Sequence, residues 1–291
     1  MNVNEIIISK GPIKNIYSTF NTEYISNENT IINLIKNNNG KIWIRNGSHL
    51  KNKISDLDIF VKYIENISEP IILITSDGDR SVPSSYSNDT INKILNSNKI
   101  RIWYTQNYDR TILNNKLKSI PIGLNLHTRR WLINNSKEEK LNYMIKCRNK
   151  FQSKKQLIFS DTHFFLSHPE RKQMYDIIKN NKSIYFLKRP QSFKFITIYY
   201  NNFQFAISPR GNGLDCHRTW ELFLAGCIVI TKTSPLDNLF IENNLPVVII
   251  KNWNELNKNI NTKLKDWYNK YYPLTSIENI YPKFNFNYWL I

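Results

Sequence analysis

Between Ser208 and Glu221 the chain reads Ser-Pro-Arg-Gly-Asn-Gly-Leu-Asp-Cys-His-Arg-Thr-Trp-Glu, and the residue types in this run suit a phosphorylated ligand. Gly211 and Gly213 allow backbone conformations and a closeness of approach that larger residues block. Arg210 and Arg218 flank the loop and can each offer a fork of N–H donors to a diphosphate, which lysine does less well. A helix opening at Asp215 or Thr219 would add free N–H groups and a positive dipole end, the usual physical basis of a phosphate site. Glu221 follows Arg218 by three residues and shares its helical face, where a carboxylate can accept hydrogen bonds from the two hydroxyls of a ribose. Taken alone, the same residues also fit an ordinary βα turn followed by an Arg218–Glu221 surface pair. His217 can contact a phosphate or a sugar, or be hydrogen-bonded within the loop.

Other chemistry-bearing residues lie outside this run. Asp77-Gly78-Asp79 follows an apolar, β-branched segment, and Asp79 is preferred as a base that takes a proton from a hydroxyl, with Asp77 as the alternative and a polar turn as the plain reading. The Asp-x-Asp spacing recurs at Asp56-Leu57-Asp58, but a three-residue match is weak, and no metal site is expected. Lys188 and Arg189 stand after a predicted strand as further diphosphate contacts or as a solvent-exposed pair. In the His168-Pro169-Glu170-Arg171 string Pro169 opens a helix, and Arg171 is an additional phosphate ligand candidate.

These residues need a frame to position them. Short β-branched runs alternate with amphipathic stretches, the pattern of βα units around a mostly parallel sheet. Strands are expected at Glu5–Ser9, Lys41–Ile44, Ile71–Thr75, Ile100–Tyr104 and Ser119–Ile122, then at Leu157–Ser160, Ser183–Phe186, Phe203–Ser208, Cys227–Thr231 and Val247–Ile250. Helices are expected at Glu28–Asn37, Asp56–Glu65, Asp89–Asn96, Lys137–Arg148, Pro169–Asn180, Asp215–Ala225 and Trp253–Tyr271. Ten strands exceed one usual sheet, so the chain divides into residues 1–135, a polar linker at 136–156, and residues 157–291, with a cleft between two βα domains. The last helix is expected to pack back on the body.

Forty Lys and Arg against 23 Asp and Glu leave a net charge of +17, which attracts nucleic acid, an anionic membrane face or a negatively charged small molecule. The lysines are scattered among Asn and Ile, the pattern of a solvated surface, and no motif for specific nucleic-acid binding accompanies them. Trp267–Tyr272 mixes aromatic and basic residues suited to base stacking, but reads more simply as an amphipathic helix. The apolar runs Cys227–Ile230 and Leu245–Ile250 fall far short of the roughly 20 residues that span a bilayer, and the N-terminus has no signal-peptide pattern. Cys147, Cys216 and Cys227 lack metal-ligand spacing and are read as reduced thiols in a cytoplasmic compartment.

The run Ser208–Glu221, followed by Ala225-Gly226-Cys227-Ile228 and Ser234-Pro235-Leu236-Asp237, resembles the donor-binding domain of exostosin-like (GT47-type) glycosyltransferases. It is most similar to bacterial and viral members with a Ser-Pro-x-Gly-Asn-Gly-x-Asp-Cys-His-Arg-x-Trp-Glu motif. Ile74–Asp79 looks like the family's Ile-Thr-His-Asn-Ser-Asp segment, with Ser76 where the family has His. Trp103–Asn107 and Ile120–Leu124 look like its Trp-Phe-Ala-Gln-Asn and Pro-Ile-Gly-Leu strings, and the likeness runs from about Ile71 to Asn254. The resemblance implies an α/β, GT-B-like fold of two Rossmann-type domains facing across a cleft that closes about the linker. It implies transfer of a sugar from a nucleotide-diphosphate sugar, UDP- or GDP-linked first of all, to a hydroxyl of a glycan, polysaccharide or glycoprotein precursor. Arg210, Gly211, Asn212, Gly213, Asp215, His217, Arg218, Glu221, Lys188 and Ser234 would hold the donor, and Asp79 or Asp77 would act as base. No cofactor is required on this reading and a divalent metal stays open; a viral member would act in the host cytoplasm or virion. The alternative is a catalytically inactive nucleotide-sugar or glycan-binding protein of the same fold, to which Ser76 in place of His points.

Overall fold

The structure is a computed structural model of the 291-residue chain, and it describes residues 1–10, 28–47, 54–127, 136–150, 154–164 and 166–290. Two parallel sheets form its frame. In the first half β1 (Lys41–Arg45), β2 (Ile71–Ser76), β3 (Ile100–Thr105) and β4 (Leu117–Ser119) lie side by side in chain order. In the second half β5 (Lys155–Ser160), β6 (Ile184–Phe186), β7 (Phe203–Ile207), β8 (Ile228–Lys232) and β9 (Val247–Ile250) take the order β6-β5-β7-β8-β9. Strands β2 and β7 are buried at all but one position each, as strands of a parallel sheet covered on both faces must be. The expected α/β architecture is therefore present: two Rossmann-type βα halves, GT-B-like, with residues just past β2, β5, β6 and β7 lining one cavity.

Two of the three apolar clusters belong to single halves, one around Leu57, Phe60 and Trp103 and one around Ile158, Phe205 and Ile230. The third joins the halves, bringing Ile6–Ile8, Trp43 and Tyr104 into one core with Phe159, Trp220 and Phe223. The chain's last turns close this core. Phe284 and Trp289 meet the Trp220 ring edge-on at 6.1 and 5.9 Å, and the Phe284 carbonyl accepts the Ile7 N–H at 2.8 Å. The expected linker supplies a packed helix, Lys137–Lys150, which buries Leu141, Met144 and Cys147; its residues 151–153 lie outside the described residues.

Several elements differ from expectation for identifiable reasons. Glu5–Ser9 is no sheet strand: a 3-10 turn at Val3–Glu5 leads into isolated antiparallel bridges from Ile6 to Asn285 and from Ile8 to Gly123. Three consecutive buried isoleucines suit a segment enclosed on all sides rather than a half-exposed strand. Strand β4 comes before the expected Ser119–Ile122, because pairing stops at Pro121, which has no N–H to give. The expected helix Trp253–Tyr271 is divided by Asn259 at φ 51° into a 3-10 turn, Trp253–Asn257, and a helix, Ile260–Tyr271. Asp56–Glu65 likewise yields only Asp56–Phe60 before a 3-10 turn at Ile64–Asn66. The helix Phe193–Asn202 escaped prediction, since its aromatic and β-branched residues carry weak helix propensity; a short helix at Asp237–Glu242 also went unpredicted.

Gly123 is one tight point of the frame. Its φ is +67°, and a Cβ there would overlap the Ile7 carbonyl oxygen. Gly123→Ala is expected to cost about 2 kcal/mol or more, measured as a lower denaturant midpoint.

Candidate active site

Strand β7 ends at Ile207, and Ser208 then ties the loop to the next helix through Oγ to Thr219 Oγ1 at 2.8 Å. The two glycines that follow sit in close quarters with neighbouring side chains. A Cβ on Gly211 would stand 3.3 Å from both Arg171 Nη2 and Cys216 Sγ, and one on Gly213 would stand 3.0 Å from Asn107 Nδ2. The helix begins at His217, later than expected, and runs to Leu224 with Cys216 as N-cap and no side-chain cap.

The late start follows from Asp215. Its carboxylate accepts the Ile122 N–H at 2.8 Å, the Cys216 N–H at 2.8 Å and the Trp220 indole N–H at 3.0 Å. Its own N–H donates to Asn107 Oδ1 at 2.9 Å, and Asn107 Nδ2 donates to the Gly78 carbonyl at 3.0 Å. His217 Nδ1 donates to the Gly123 carbonyl at 2.8 Å. These bonds tie the glycine loop to the first half. Asp215, expected to hold a donor, has its carboxylate oxygens engaged in that tie. Burial pushes its carboxyl up to about 6, against the pull of its three donors.

The charged side chains converge on a cavity of about 560 Å³. Arg218 lies 3.0 Å from Asp161, whose other oxygen is 3.4 Å from the Tyr200 hydroxyl. Burial opposes the Arg218 charge, but Asp161 and Tyr200 outweigh it and hold the guanidinium protonated. Tyr200 is raised by burial and then by Asp161. Arg171 is buried beside Arg218 and donates from Nε to the Arg210 carbonyl at 2.9 Å. Burial and then the Arg218 charge hold Arg171 below its ordinary value. Two guanidiniums thus line the cavity, Arg218 against Asp161, and their N–H forks can grip an anion. Glu221 sits a turn beyond Arg218 in the same cavity wall, 6% exposed.

Of the residues singled out from the sequence, Asp79, Gly211, Asn212, Gly213, Asp215, His217, Arg218 and Glu221 come together around this cavity. Asp79 and His217 also face an adjoining cavity of about 430 Å³ that contains Asp77 and His127. Asp77, at φ 63°, is 3.5 Å from Lys10. Arg210 and Ser234 instead line a separate pocket of about 230 Å³, and the Arg210 guanidinium donates to the carbonyls of Gly211 and Asn212. Lys188 is exposed and borders neither cavity. His168 caps its helix through Nδ1 as the Pro169 start implies. Among the described residues no group of three or more His, Cys, Asp or Glu could hold a metal ion.

Sequence reasoning passed over Asp161, Tyr200 and His127 as site residues. Asp161 directly follows β5, and the carboxyl end of a parallel strand is a signal that could have found it. Tyr200 and His127 reach the site only through folding. The His127 ring lies 5.4 Å from that of His217, and burial, then the charges of His217 and nearby lysines, lowers it to about 3.

A family model described as "Protein of unknown function (DUF806)" matches residues 51–163. No curated protein matches the chain. Among solved structures, the chain is similar to a sucrose-phosphate synthase from Thermosynechococcus elongatus, with TM-score 0.46, 11% identity, and coverage of 93% of this chain and 79% of that one. It is also similar to a GtfA/B complex, with TM-score 0.35, 9% identity and coverage of 81% and 59%. A third likeness is to the pneumococcal O-GlcNAc transferase GtfA in complex with UDP and GlcNAc, with TM-score 0.26, 10% identity and coverage of 83% and 58%. At these TM-scores the likenesses are loose, and the site stands on its own residues.

A histidine whose folded pKa is depressed stabilises the fold above its unfolded value, near 6.5, and loses that contribution as pH falls. Between pH 7.5 and 5, wild type should lose about 2 kcal/mol relative to His127→Gln, measured by urea unfolding of both proteins across that range.

Proposed function

We propose that the protein is a glycosyltransferase that moves a sugar from a nucleotide-diphosphate sugar to a hydroxyl acceptor. The observation that carries this reading is the meeting, in one cavity, of Arg171 and Arg218 with Glu221 a helical turn away and a glycine loop across from them. Two guanidiniums side by side offer paired fork donors to the oxygens of a diphosphate. A buried carboxylate one turn on matches the paired hydroxyls of a ribose.

When the glycosidic bond breaks, negative charge grows on the leaving diphosphate. Arg171 and Arg218 stand where that charge develops, held by Asp161 and the loop carbonyls before the donor arrives, and preorganised cations of this kind lower the barrier. Glu221 orients the nucleoside. The acceptor enters through the adjoining cavity, which shares Asp79, Ile122 and His217 with the donor cavity. Asp79 takes the proton from its hydroxyl.

The reading of an inactive binding protein loses its main support. Ser76 is 1% exposed, and its hydroxyl accepts the Trp43 indole N–H at 2.9 Å and donates to the Ser9 carbonyl at 3.1 Å. It faces neither cavity, so a serine there takes no group away from the site.

Thermal-shift screening against UDP, GDP, CDP, ADP and their sugars, with and without Mg²⁺ or Mn²⁺, tests the donor assignment. One diphosphate should raise the midpoint, and Glu221→Ala and Arg218→Ala should each weaken its binding at least about tenfold, the scale of one charge-assisted hydrogen bond; no shift with any nucleotide overturns the assignment. Asp79→Asn should leave that shift in place while transfer or donor hydrolysis falls by about 10²- to 10⁴-fold, measured by release of the free diphosphate.

A further inference from the structure

Two stretches picked out in the sequence have no part in the donor cavity: Ala225-Gly226-Cys227-Ile228 and the aromatic, lysine-bearing Trp267–Tyr272. They meet at the C-terminal end of the helix His217–Leu224, around a cavity of about 500 Å³ that shares no lining residue with the donor cavity. Arg148, near the end of the helix Lys137–Lys150, donates from Nη1 to the Phe223 and Leu224 carbonyls at 3.2 and 2.7 Å and from Nη2 to the Thr275 carbonyl. Lys154 donates to the Ala225 carbonyl at 2.6 Å. Gly226, at φ +76°, lets the backbone lie against the guanidinium, where a Cβ would stand 2.6 Å from Nη1.

Carbonyl dipoles meet only part of the need of these cations. An ammonium has three donors and a guanidinium five, and among the described residues neither Arg148 nor Lys154 forms an ion pair. The carboxylate that borders the cavity, Glu278, is exposed. Burial holds both cations below their ordinary values, and the Arg148 charge acts in the same direction on Lys154. Both cations are half-buried, and like charges brought together in such a place favour an anion beside them. The cavity's other wall is aromatic: Tyr268 and Tyr272 stack at 4.7 Å and 19°, and Tyr272 keeps 53% of its surface exposed.

We propose that this cavity is a second ligand site that takes a mononucleotide, its phosphate between Arg148 and Lys154 and its base on the open ring of Tyr272. The phosphate adds counter-charge to that of the exposed Glu278, which favours the Arg148 charge without offsetting its burial, and the flat base covers the exposed aromatic surface. The site is independent of the donor assignment, since it uses none of the same residues.

Titration calorimetry of the full chain with AMP, and separately with inorganic phosphate, tests it. AMP should bind saturably. Lys154→Gln should weaken it at least tenfold with Lys154→Arg restoring most of the loss, and Tyr272→Ala should weaken it about tenfold, with the thermal midpoint of each variant confirming the fold. Glu221→Ala should leave AMP affinity unchanged, which separates this site from the donor cavity. The proposal fails if AMP does not bind at millimolar concentration, if binding survives both Lys154→Gln and Tyr272→Ala, if Glu221→Ala removes it, or if inorganic phosphate binds as tightly as AMP.

Discussion

The Asp215 carboxylate is the constraint around which the two halves are arranged. A buried carboxylate is tolerated only when donors surround it, and Asp215 draws its donors from three places: Ile122 in the first half, Cys216 beside it, and the Trp220 indole below. The same Trp220 ring is the contact point for Phe284 and Trp289. One side chain therefore fixes the seam between the sheets, the start of the helix that carries Arg218 and Glu221, and the docking of the chain's last turns.

From that anchor the charge distribution of the cavity follows. The helix His217–Leu224 cannot begin until Asp215 has been placed, so its first turn brings His217 to the Gly123 carbonyl and Arg218 to Asp161. Arg171 arrives from another helix and is held by the Arg210 carbonyl. The two guanidiniums act on each other in a poorly solvated place, with Asp161 against Arg218, and their paired fork donors suit the cavity to a phosphate anion. Charge also sets the far end of the helix, where Arg148 and Lys154 meet its last carbonyls, as cations favour a helix C-terminus.

Much of this was legible without coordinates. The run Ser208–Glu221 marked the glycine loop, the arginines and Glu221, and eight of the ten expected strands appear close to where hydrophobic runs placed them, because a parallel strand buried on both faces must be a compact apolar run. The failures have local causes. Pro121 cannot donate to a ladder, Asn259 adopts a left-handed φ, and Phe193–Asn202 forms a helix that its propensities do not favour.

The sequence by itself determined the βα alternation, the two sets of strands and the segment that lines the cavity, because these depend on hydrophobic periodicity and on residues close together in the chain. Only the tertiary structure decided which charged groups meet. Arg218 pairs with Asp161, 57 positions earlier. Asp215 binds across the seam, while Arg210 and Ser234 fall into a different pocket from Arg218. Spacing along one helix restricts neighbours to a single face, but the partner of a buried charge is whichever group the packing of two sheets brings within hydrogen-bond distance, and that is a property of the whole fold.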